Sequence, residues 1–89
     1  MFTWIGKQGA RSSDGFEVQS TGRFSVAYSE GSQVLTVYGE REGGGVMAIA
    51  KDAFSRWDNL RMTNPPEKQA QMRENFVAAM KFQGITVLP

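Results

Sequence analysis

The sequence predicts an α+β fold: a curled antiparallel β-meander of about five to six strands, one C-terminal amphipathic helix packed on one face, and a final short strand. Two patterns carry that reading. Residues Arg23 to Ser29 alternate with period two, setting Phe24, Val26 and Tyr28 on one side and Arg23, Ser25 and Ser29 on the other. Met72, Phe76, Ala79 and Met80 recur at three- and four-residue spacing, with Glu67, Lys68, Gln71, Glu74, Asn75 and Lys81 opposite. Length bounds the rest: 89 residues make one domain, 1–89, with room for one modest core.

Met1 to Ile5 is aromatic and β-branched, a first strand. Gly6 to Gly15 is rich in turn formers and reads as a mobile surface loop. Phe16 to Ser20 is a second strand, Thr21-Gly22 a tight turn, and Arg23 to Ser29 a third strand. After Glu30-Gly31-Ser32 the chain runs β-rich from Gln33 to Arg41, with Val34, Leu35, Val37 and Tyr38 suggesting cover on both faces. The Gly43-Gly44-Gly45 triplet leads into a strand and lacks a following Lys-Ser or Lys-Thr. It is therefore a hairpin turn and not a phosphate cradle. Val46 to Ala50 follows as a strand.

Asp52 is placed to cap a short helical turn carrying Phe54 and Trp57, and Asp58 to Thr63 is irregular. Asn64 as N-cap, Pro65 at the first helical position and Glu67 at N3 then open the helix. Gly84 ends it as a left-handed C-cap, and Ile85 to Leu88 is the closing strand.

Composition narrows the chemistry. No cysteine excludes disulfides, thiolate metal sites and thiol nucleophiles; no histidine removes the commonest general base and transition-metal ligand. A net charge of +1, with basic and acidic residues interspersed, gives no field that steers nucleic acid or anionic lipid. The longest apolar runs, Val46 to Ala50 and Phe76 to Met80, fall far short of the roughly 20 residues of a membrane span. No secretory leader is visible, so a cytoplasmic protein is expected. Glu40 and Glu42 project on one side of a strand end and read as solvated charges before they read as a catalytic pair or cation site. No cofactor or metal is called for.

Among the aromatics, Phe24 alternates into the sheet core. Trp57, at an element end beside charged neighbours, stays open between core and contact surface. Met72 and Met80 sit on the helix core stripe, and Met62 is the methionine placed to make contacts.

The strand Arg23 to Tyr28, the run Val34 to Glu40, an isolated Trp57 and a proline-initiated helix stand in a familiar order. That helix carries Met72, Phe76 and Ala79-Met80-Lys81-Phe82, and Gly84-Ile85-Thr86-Val87 closes the chain. Over residues 16–88 this layout resembles small α+β immunity proteins of bacterial polymorphic-toxin systems, immunity protein family 74. Residues 6–15 have no counterpart in it. The resemblance implies a non-enzymatic module that neutralises a cognate toxin protein by stoichiometric binding. Contact residues would be Arg56, Trp57, Arg61 and Met62, with Glu40 and Glu42 as rim charges. The alternative is a single-stranded nucleic-acid-binding domain using the sheet face, which the charge balance disfavours. Edge strands leave room for a homodimer by sheet extension.

Overall fold

A computed structural model describes residues 1–58 and 62–88. Strands β1 (Phe2–Trp4), β2 (Gly9–Ser12), β3 (Phe16–Gly22), β4 (Ser25–Glu30), β5 (Gln33–Gly43) and β6 (Val46–Ile49) precede helix α1 (Pro66–Phe82) and strand β7 (Thr86–Val87). All seven strands join one curled sheet in sequence order, a half-barrel wrapped on the helix. Neighbours are antiparallel from β1 to β6. The expected all-antiparallel sheet is corrected at its end, because β7 pairs parallel to β6. A strand reached through a helical crossover returns in the same direction, so α1 dictates that orientation.

The expected loop over residues 6–15 is also corrected, since β2 occupies its middle. Ala10 and Ser12 face inward, where their small size lets the backbone approach the helix, and Arg11 faces out to pair with Glu17 at 3.2 Å. Ser12 Oγ accepts from the Asp14 amide at 3.0 Å and tightens the turn into β3. The next hairpin turns at Arg23-Phe24 and not at Thr21-Gly22, with a register shift between Ser20 and Gly22. Asp52 lies in a run of turns and caps no helix.

Asn64 is not the helix cap. Pro65 takes that position with Pro66 behind it, and two residues without amide hydrogens leave less to cap. Asn64 instead turns inward: its side-chain amide donates to the Phe54 carbonyl at 3.1 Å, and its own carbonyl accepts from Gln69 Nε2 at 2.7 Å. The other end follows expectation. Gly84 at φ +85° lets its amide bond the Lys81 carbonyl and that of Ile85 bond Met80, both at 2.9 Å. This six-to-one and five-to-two pairing terminates α1 and aims the chain at β6.

Inward residues of every sheet layer meet Met72, Phe76, Ala79 and Met80 of α1 in one core. Its centre is Tyr28, whose ring lies 5.8 Å from Phe16, 6.0 Å from Phe54 and 6.1 Å from Trp57. The phenol donates to Glu30, accepts from Asn75 Nδ2 at 3.0 Å, and Glu30 receives Lys68 Nζ at 2.7 Å. Among the described residues no helix is long and apolar enough to cross a membrane.

Two outcomes follow from the packing. A Cβ on Gly39 would lie 2.6 Å from the Ala48 carbonyl oxygen and 2.8 Å from Met47 Cε. Gly39→Ala is expected to cost about 1–3 kcal/mol, read as a lower denaturation midpoint at unchanged m-value. Burial raises the Tyr28 phenol well above its ordinary 10.0, and Glu30 adds to the rise. The unfolded chain therefore ionises first, and stability falls as pH climbs past about 10. Denaturant titrations across that range should show a shallower fall for Tyr28→Phe.

Candidate functional site

β5 changes partners along its length. Residues Gln33 to Tyr38 pair with β4, while Gly39 to Gly43 pair with β6. The unpaired edge of the first half is taken by the segment after β6, residues 50–58, which has no regular structure. Asp58 fastens one end: its amide donates to the Val34 carbonyl at 2.8 Å, and its carboxylate accepts from the Thr36 amide and hydroxyl at 3.2 and 2.6 Å. Arg73 of α1 fastens the other, donating to the Ala50 and Lys51 carbonyls at 3.2 and 3.3 Å with its guanidinium over the Phe54 ring. Between these ties Phe54 and Trp57 plunge into the core.

The hand-over point leaves an open furrow. One part, about 460 Å³, is apolar and lies among Phe24, Tyr38, Gly39, Ala48, Ile49 and Ala50, with Glu40 at its lip. The other, about 670 Å³, is mixed: Thr36, Asp52, Ser55, Arg56 and Asp58 line it together with Leu35, Ala53 and Trp57. Tyr38 and Ala50 line both parts, so the two adjoin. Tyr38 is 68% exposed and Phe24 53%, on a backbone held by strand pairing and by the Gly39 amide bonding the Phe24 carbonyl at 3.0 Å. Three carboxylates, Glu40, Asp52 and Asp58, and one guanidinium, Arg56, are among the residues that line this furrow.

No family model matches the chain, and neither a curated protein nor a solved structure matches it.

The sequence-predicted contact residues divide. Glu40 and Arg56 line the furrow, one in each part. Glu42 is exposed at the end of β5 and lines neither. Met62 is 81% exposed, and Arg61 lies outside the described residues. Trp57 lines the larger part of the furrow, but it is 4% exposed and stacked on Tyr28 at an interplanar angle of 20°, so its bulk lies in the core. Its position after the Arg73-anchored turn points the indole inward, and charged neighbours in sequence take the outer side. Phe24 is corrected in the opposite sense. It occupies the hairpin turn, clear of the core, with the Arg23 guanidinium 5.4 Å from its ring.

Sequence reasoning missed Tyr38 and Ile49 as surface formers. For Tyr38 the signal was present, since Leu35 and Val37 facing in puts residue 38 on the outer face. β5 is buried on one face only, not on both. Among the described residues no three acidic side chains gather to hold a metal ion.

Truncating Trp57 and Met62 separates core from surface. Trp57→Ala should cost about 3–5 kcal/mol of unfolding free energy. Met62→Ala should stay within about 0.5 kcal/mol. Urea denaturation of both checks the assignment.

Proposed function

We propose that this chain is a non-enzymatic binding module that neutralises a bacterial toxin domain, docking it through the Phe24–Tyr38 furrow. The observation that carries the reading is the pair of large aromatics left exposed on a fixed backbone beside an apolar cleft. Tyrosine and arginine are enriched among residues that dominate binding energy, and here Tyr38 and Arg56 line one depression. Because strand pairing and the Asp58 and Arg73 ties hold the surface, little ordering entropy opposes association. The resemblance of residues 16–88 to polymorphic-toxin immunity proteins supplies the kind of partner.

The rim also selects the partner's chemistry. Three carboxylates against one guanidinium favour an apolar protrusion flanked by lysine or arginine. The same carboxylates repel a phosphate backbone, which argues against a stacked single strand on this face.

The test is growth rescue. The chain is co-expressed with the product of the adjacent reading frame, which on this reading arrests growth when expressed alone, and rescue by the wild type with loss in Phe24→Ala/Tyr38→Ala is the expected result. Each truncation should weaken the complex by about tenfold or more, read by calorimetry, with circular dichroism unchanged. Absence of rescue by the wild type, or full rescue by the double variant, overturns the reading.

A further inference from the structure

Period two puts Arg41 on the opposite face of β5 from Glu40. Arg41 stands opposite Met47 in the β5–β6 register, on the face that elsewhere builds the core. Here the apolar layer has ended, and its guanidinium reaches Ser20 Oγ at 3.3 Å. Two clefts open at this mouth of the half-barrel, of about 300 and 270 Å³, sharing Gln8, Ser20 and Arg41. Arg23 lines the first; Lys7 and Trp4 line the second.

All three cations are exposed, and among the described residues none of them forms an ion pair; the two ion pairs join Arg11 to Glu17 and Lys68 to Glu30. The mouth adjoins the furrow, because Arg23 and Phe24 are consecutive, as are Glu40 and Arg41, one of each pair in each depression.

We infer that the mouth is a second docking contact, taking an acidic segment of the partner protein, an inference that rests on the protein-binding reading above. Charge complementarity names the occupant: three exposed cations with amide and hydroxyl side chains from Gln8 and Ser20 match clustered Asp and Glu carboxylates. A polynucleotide fits less well. The chain's net charge is only +1, and a phosphate chain running from the mouth toward the furrow meets Glu40. One contact zone thus offers the partner an acidic-rimmed apolar furrow and a basic mouth.

Tryptophan fluorescence reads the mouth directly, since Trp57 is buried and Trp4 lines the cleft. The full chain is titrated with a hexa-aspartate peptide and, separately, with a hexathymidylate. The peptide is expected to change Trp4 emission, with affinity falling severalfold between about 50 and about 500 mM NaCl. Arg41→Ala should weaken it about tenfold, and Arg11→Ala, on the outer face of β2 and lining neither cleft, should leave it unchanged. A silent Trp4, tighter binding of the thymidylate, or insensitivity to Arg41→Ala overturns the inference. Growth rescue that depends on Phe24 and Tyr38 alongside a silent Trp4 overturns the mouth alone and leaves the furrow standing.

Discussion

A single helix shares a core with a seven-stranded sheet only because the sheet curls, and the curl is held where β4 meets α1, at the side chain of Tyr28. Its ring touches aromatics from three different parts of the chain, while its hydroxyl lies where no water reaches. An unpartnered hydroxyl there would cost about 1–3 kcal/mol, so Glu30 and Asn75 are required and not ornamental. Glu30 in turn holds Lys68. Lys68 and Asn75 are two helical turns apart on one face of α1, so the network fixes both the rotation and the axial position of the helix.

The furrow is a consequence of that closure. With α1 fixed, Arg73 can hold the turn after β6, and the volume beneath is filled by Phe54 and Trp57. The segment following β6 is thereby drawn to the edge of β5 in place of a longer β6. Strand pairing passes from one neighbour to the other at Tyr38 and Gly39. Gly39 is required there because any side chain would strike Ala48 and Met47. Gly39 also lines the furrow beside Tyr38, so the same position that closes the sheet borders the depression.

The sequence was legible where apolar residues keep a period and illegible where partners are distant. The stripe of Met72, Phe76, Ala79 and Met80 marks α1 because helical spacing and burial coincide. Strand β2 escaped because Gly-Ala-Arg-Ser has one small apolar residue and the composition of a turn; only the nearby helix gives Ala10 a reason to be inside. Asn64 carried a valid local capping signal, but the two prolines removed what it would cap, and tertiary bonding to Phe54 took its side chain. Trp57 shows the same limit. Its inward turn depends on Tyr28, which stands twenty-nine residues earlier. The surface was readable in part, since alternation alone assigns Tyr38 outward, whereas the exposure of Phe24 depends on where the hairpin bends.

Net charge hid the most consequential feature of the surface. Interspersed acids and bases along the chain look like a neutral, solvated exterior, and on a helix they would be. On a strand, alternation sorts them: Glu40 goes to the furrow and Arg41 to the mouth, so neighbours in sequence become opposite poles in space. A body of net charge +1 therefore presents a local dipole across one strand. Such a dipole adds little long-range attraction, but it makes a reversed docking pose repulsive on both sides at once. For the docking proposed above, orientation is the quantity most in need of fixing, and segregated charge would fix it without enlarging the contact.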